Sequence, residues 1–221
     1  MTQDSNPVIS DEQLKKAEEF IEAEEGASNR LSGKMGIFVT VIAVIMSLFH
    51  LYAAYSIVPT QTLRPVHVGF MLFLSFLLFP VAARFRDRAR WWDWAAALVS
   101  GGIIAYLLAG GDDFTDRATT PNRWDLILGV ALIVLVLEAT RRTSGWVMPA
   151  VVLGFIAYAL LGPQLPAPWT HRGYDMDRLV GHMFMTLEGI FGTAVDVSST
   201  LIILFTIYGA FLQYSGAGKF Y

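Results

Sequence analysis

The chain has 221 residues, 54% of them hydrophobic and only 16% charged, with no cysteine and a mean hydropathy of +0.49. A soluble domain carries about 25% charge, so a disordered chain is excluded and an ordinary soluble enzyme is disfavoured; disulfides, thiolate metal sites and cysteine nucleophiles are excluded outright. Residues 1–35 hold four Lys/Arg against eight Asp/Glu and the remainder twelve against eleven, so neither part has the basic surplus of a nucleic-acid binder.

In chain order, residues 1–34 are polar and contain no signal peptide. Ser10 and Gln13 have capping-box spacing and open an acidic helix over 10–25. Its apolar members, Leu14, Ala17, Phe20 and Ile21, make a thin stripe, consistent with a solvated cytoplasmic helix or with a docking one. Residues 36–58 carry no formal charge; at about 34 Å this stretch is long enough to cross a hydrocarbon core of about 30 Å. Further spans are expected at 66–83, 94–109, 124–139, 146–162 and 197–212. Trp91, Trp92 and Trp94 crowd the third like an interfacial belt. The fourth is short and tipped by Asp125 and Glu138, and Pro149 falls in the first turn of the fifth, where a missing N–H costs little.

After the Pro-rich break at 162–168, residues 175–191 place Met176, Leu179, Val180, Met183, Phe184, Leu187 and Phe191 near one face at helical spacing. Such a helix is too charged to span and too apolar to float, and is expected in the interface or along the protein's outer flank. The fold class is therefore all-α, a polytopic membrane protein of about six spanning helices plus one amphipathic helix. Alternating the loops from the amino end puts eleven Lys/Arg on one side, namely Lys15, Lys16, Arg30, Lys34, Arg84, Arg86, Arg88, Arg90, Arg141, Arg142 and Lys219, against five on the other, Arg64, Arg117, Arg123, Arg172 and Arg178. The positive-inside rule then places the N-terminus in the cytoplasm.

Few residues invite chemistry. His50 sits inside the first span and is either a satisfied structural histidine or a handler of protons or substrate. Glu138 with Arg141 and Arg142 has favourable i, i+3, i+4 spacing, and with Arg84, Arg86, Arg88 and Arg90 it reads as topology and a pinned helix end. Glu188, Gly189, Gly192, Asp196, Ser198 and Ser199 are the candidates for substrate binding. The two glycines allow a helix break, and Asp196, Ser198 and Ser199 are placed to cap the next helix and leave its amides facing an anion. The bland alternative is a turn between an interfacial helix and a spanning one. No HExxH, GxSxG or Walker lysine loop occurs, and the four histidines (His50, His67, His171 and His182) are scattered, so no catalytic residue, metal ligand or cofactor site is assigned. Without a nucleotide loop, active transport must use an ion gradient.

The blocks EATRRTSG at 138–145, HRGY at 171–174, TLEGIFG at 186–192, VSS at 197–199, GAFL at 209–212 and GAGKF at 216–220 resemble tripartite ATP-independent periplasmic (TRAP) transporter permeases. In particular they resemble the form that fuses small and large membrane subunits and pairs with TAXI-type binding proteins. The resemblance implies an elevator-like importer of organic acids in the bacterial inner membrane. A periplasmic substrate-binding protein would feed it and a gradient, usually of sodium, would drive it. It implies a polar segment at 1–35, a small-subunit-like domain at 36–142, a connecting helix and loop at 143–174, and the start of the large subunit at 175–221. The large subunit of the family continues well beyond this point, so a fragment is expected, with the remainder of that subunit as partner alongside the bilayer. The family's sodium- and substrate-holding hairpins have no matching positions here. A non-transporting membrane scaffold or assembly subunit is the alternative; a polytopic membrane enzyme is the weakest of the three readings.

Overall fold

The computed structural model describes residues 31–85 and 88–216, together with Ser10, Glu12, Gln13, Lys16, Ser28 and Asn29. Ser10 and Gln13 exchange both bonds of the capping box: Ser10 N–H donates to Gln13 Oε1 at 3.0 Å, and Gln13 N–H to Ser10 Oγ at 3.3 Å. The stripe of Leu14, Ala17, Phe20 and Ile21 lies outside the described residues, as do Lys15, Arg30, Arg86 and the GAGKF block beyond Gly216.

Helix α1 (Gly33–Tyr55) and α2 (Thr60–Leu78) form an antiparallel pair. α2 starts six residues before the apolar run at 66 because the Pro59 carbonyl collects the N–H groups of Thr62 and Leu63. It stops at Leu78, just ahead of Pro80, a residue that disfavours helix immediately before it. The carbonyls of Leu77 and Leu78 at that end are taken by Asn29, through Nδ2 at 2.7 Å and its backbone N–H at 2.6 Å. The chain preceding α1 is thereby fastened beneath α2. Helix α3 (Trp91–Asp116) begins with Asp93 accepting the Arg90 N–H at 2.9 Å and breaks at Gly111, whose φ of 51° suits glycine. The stretch after the break, expected as loop, adds another helical turn and runs into a 3₁₀ turn at Arg117–Thr119. Helix α4 (Arg123–Ser144) is capped reciprocally by Asn122 and Asp125. It is followed by α5 (Val147–Leu161), α6 (Met176–Met185) and α7 (Thr193–Tyr214). Among the described residues there is no strand.

Helices α1, α2, α3, α5 and α7 are long and apolar enough to cross a membrane. The expected fourth span is a helix of 22 residues, α4, but Asp125 at one end and Glu138, Arg141 and Arg142 at the other set its composition apart. The protein is a multi-pass helical membrane protein. Phe76 and Leu77 of α2, Ala97 and Ile103 of α3 and Leu132 of α4 are its most deeply buried apolar side chains between these helices. α5 packs against α4 and buries only Pro149, so nearly its whole circumference is left for lipid or another protein.

The amphipathic helix differs from expectation in length. It ends at Met185 rather than near 191, and its buried side (Val180, Gly181, Phe184) lies on the protein. A Cβ at Gly129 of α4 would stand 2.4 Å from Val180 Cγ1, and one at Gly181 would stand 2.1 Å from the Ala118 carbonyl oxygen. Missing side chains at both positions let α6 approach α4 and the 3₁₀ turn this closely.

Two charge clusters hold the ends of α4. At its start, the buried Asp125 carboxylate accepts from Arg117 Nε at 2.8 Å and Nη2 at 3.1 Å, and from Tyr106 Oη at 2.8 Å. At its end, Arg142 donates to Asp93 Oδ1 at 2.6 Å, Glu138 Oε1 at 2.8 Å and the Phe79 carbonyl at 3.1 Å, with Phe76 beneath the guanidinium. Arg141 donates to both Glu138 oxygens and to the Val81 carbonyl. Glu138, Arg141 and Arg142 thus join the ends of α2, α3 and α4 at one face of the bundle. Arg84 and Arg90 lie over the Phe85 ring at 4.6 and 4.2 Å near that face, while Arg88 is exposed. Because removing one member of a buried ion pair strands its partner, Arg142→Ala is expected to destabilise the fold by about 3–5 kcal/mol. Thermal unfolding of the purified variant in detergent checks this, with Arg88→Ala melting like the parent.

Candidate functional site

The residues singled out between 188 and 199 fall where the helical path is interrupted. After Met185 the chain folds back, and the Ile190 N–H reaches the Met183 carbonyl at 2.9 Å. A Cβ at Gly189 would lie 2.4 Å from Met183 Cα, and one at Gly192 would lie 2.9 Å from the Gly189 carbonyl oxygen. Both glycines are therefore required by backbone-on-backbone contact, as their spacing suggested. Helix α7 then begins at Thr193, with Gly192 at its N-cap and no side-chain cap.

This start corrects the expected capping role. Asp196, Ser198 and Ser199 lie inside α7 rather than ahead of it, because the helix opens earlier than the apolar run does. Ser199 Oγ donates back to the Asp196 carbonyl at 3.1 Å. Asp196 instead faces Arg64 of α2, accepting from Nε at 3.0 Å and Nη2 at 2.9 Å. Nη1 of the same guanidinium donates to the carbonyls of Phe191 at 3.0 Å and Leu187 at 3.4 Å. One arginine therefore neutralises the carboxylate of α7 and satisfies two carbonyls of the break. Glu188 stands apart, exposed, with His182 at 3.8 Å.

Two residues after Asp196, Ser198 opens a π-helical turn (Ser198–Ile202) within α7. Its Oγ lies 3.0 Å from His67 Nε2; His67 Nδ1 lies 2.9 Å from His50 Nε2; and His50 Nδ1 lies 2.7 Å from the Met46 carbonyl. A carbonyl only accepts, so in the neutral pair His50 Nδ1 carries hydrogen, His50 Nε2 accepts from His67 Nδ1–H, and His67 Nε2 accepts from Ser198 O–H. Every polar atom of both buried imidazoles is engaged, as burial demands. His50 is thus a satisfied histidine, and the chain of bonds it starts ties α1, α2 and α7 together.

A groove of about 330 Å³ runs along this chain of bonds, with His67, Ser75, Thr140, Thr143, Val195 and Ser198 in its walls. On the other side of the break a cavity of about 240 Å³ is bordered by Thr62, Pro65, Gly111, Phe114, Met185 and Phe191. The order Ser198–His67–His50 matches the hydrogen-bond order of a hydrolytic triad. The Ser198 N–H, however, is engaged by the Ala194 and Val195 carbonyls and so is not free to serve an oxyanion hole. Among the described residues no three His, Asp or Glu side chains gather as a metal site. What the arrangement does physically is lock a broken backbone against α1 and α2.

Arg64 and His67 were not singled out from the sequence. Arg64 reads as a loop cation because its partners lie more than a hundred residues away. A signal for His67 does exist: His50 precedes the end of α1 by five residues and His67 follows the start of α2 by seven, so an antiparallel hairpin brings them to one level. The Arg64→Gln and Asp196→Asn substitutions should be non-additive, with a coupling energy of about 1 kcal/mol given the part-exposed carboxylate. A double-mutant cycle on thermal unfolding measures it.

The site lies mostly within a stretch similar to a known family. Residues 131–221, which hold the second half of α4 and all of α5, α6 and α7, match the family described as the tripartite ATP-independent periplasmic transporter, DctM component. No curated protein and no solved structure matches the chain.

Proposed function

We propose that this chain serves as a membrane component of a TRAP-type importer, a secondary transporter that takes up organic acids. In this reading a periplasmic substrate-binding protein delivers the acid, and an ion gradient, sodium in the first instance, drives its passage across the bacterial inner membrane with the N-terminus in the cytoplasm. The chain acts with the remaining helices of the large membrane subunit, in the fused-subunit, TAXI-type arrangement. The observation that carries the reading is the family match over 131–221, which takes in the EATRRTSG, HRGY and TLEGIFG blocks. The geometry supports it further. Interrupted helices inside a membrane protein occur where backbone is buried or lines a cavity, and secondary transporters use such interruptions. The match favours transport over the alternative of a scaffold or assembly subunit that moves nothing.

Helices α1 to α4 act as the frame in this scheme, and Arg64 and His67 join that frame to the broken segment. Uptake of a labelled carboxylate by proteoliposomes holding the complete permease, supplied with its binding protein, is expected to need an inward sodium gradient. Uptake that is unchanged with both sodium and proton gradients collapsed contradicts the proposal. Losing charge-assisted hydrogen bonds costs about 1.5–3 kcal/mol, so Arg64→Ala is expected to slow uptake about tenfold or more. An Arg64→Ala permease as fast as the parent contradicts the role given to that residue.

A further inference from the structure

The HRGY block has a structural job that uses all of its members but one. His171 N–H donates to the Gly162 carbonyl at 3.2 Å and Tyr174 N–H to the Ala159 carbonyl at 2.9 Å. The Gly173 N–H donates to His171 Nδ1 at 3.0 Å, which leaves His171 Nε2–H to donate to the Tyr158 carbonyl at 3.0 Å. These bonds cap the last carbonyls of α5, groups that have no partner within a helix. Gly162 is fixed by the same packing, since a Cβ there would strike the His171 ring at 2.3 Å. Gly173 is fixed by its φ of 75° and by Pro163. Arg172 alone has no part in this.

Its side chain borders a recess of about 320 Å³ whose walls also include Arg178, Tyr174 and Asp175. Neither arginine side chain has an ion pair or hydrogen bond among the described residues. Arg178 is the third residue of α6, in a first turn where the helix dipole repels a cation and attracts an anion. In the walls of the recess the two guanidinium groups meet one carboxylate, Asp175, whose side chain caps nothing. Neither guanidinium is ion-paired with Asp175 or with Asp177 of the same first turn, so both are left on a preformed backbone for an external anion.

We propose that this recess binds a phosphate group, that of a phospholipid headgroup. The shared ligand chemistry, a tetrahedral oxyanion held by two arginines, would also admit free phosphate. The surroundings select the lipid. The recess sits at the end of α5, which buries only Pro149, and the neighbouring Tyr158, Trp169 and Tyr174 are exposed. Amphipathic aromatic side chains beside cations occupy the headgroup level of a bilayer, where a guanidinium pair meets lipid phosphates.

Native mass spectrometry of the full chain, released from vesicles of phosphatidylcholine and phosphatidylglycerol, tests this. The parent and Arg123→Gln, which removes an exposed arginine elsewhere, are expected to keep a phospholipid that Arg172→Gln/Arg178→Gln loses, at unchanged helix content by circular dichroism. The two single variants, read in the same way, serve if the pair does not fold. Equal lipid retention by parent and variant overturns the proposal. Displacement of the lipid by an excess of inorganic phosphate also overturns it, by showing that the recess selects a free anion. So does retention that depends on Arg172 and Arg178 only when an acidic protein partner is added.

Discussion

A backbone carbonyl left without a partner where a helical path is interrupted is costly unless something else satisfies it. Arg64 supplies that at Leu187, Phe191 and Asp196 together. Its charge is balanced by the carboxylate it meets, and its fork of donors spans three acceptors that a lysine ammonium could not serve in the same geometry. This one guanidinium therefore ties the residues on both sides of Gly189 to α2.

The frame around it obeys the same constraint by different means. Asp125 and Arg142 are buried charges, and each has its opposite charge and additional hydrogen bonds around it. Isolated, either would be prohibitively expensive. Together they fix both ends of α4, the helix against which α5 and α6 pack. Helix α6 needs only glycine at 129 and 181 to settle there, so the frame holds the amphipathic helix through shape and the broken segment through charge.

Much of this was legible in the sequence, for reasons that differ by element. Uncharged runs of the right length announced the helices, and the Glu138, Arg141 and Arg142 spacing announced a pinned end, because both signals are local. Boundaries were less legible. Apolar runs mark the membrane-facing part of a helix, whereas α2 starts among Thr60, Gln61, Thr62 and Arg64, polar residues whose partners lie far along the chain. Continuous periodicity through 191 likewise hid the fold-back, since Leu187 and Phe191 keep the apolar face while Gly189 breaks the path. The glycine pair was recognisable as a break, but not the identity of the group that would hold it. His50 drew notice as an ionisable residue in a span, and its partner His67 became evident only when the two spans were set side by side.

The π turn at Ser198–Ile202 has a consequence for everything beyond it. An α-helix advances about 100° per residue, and a π turn accommodates one residue more than an α-helical turn. The outward aromatic row of Phe205, Tyr208, Phe211 and Tyr214 therefore owes its compass bearing to that single surplus residue. Were the turn to relax to ordinary α-helix while Ser198 stayed fastened to His67, the row would swing about the helix axis by roughly a quarter of a revolution. A small change of winding beside one hydroxyl would thus be read out as a different face presented to whatever neighbours α7.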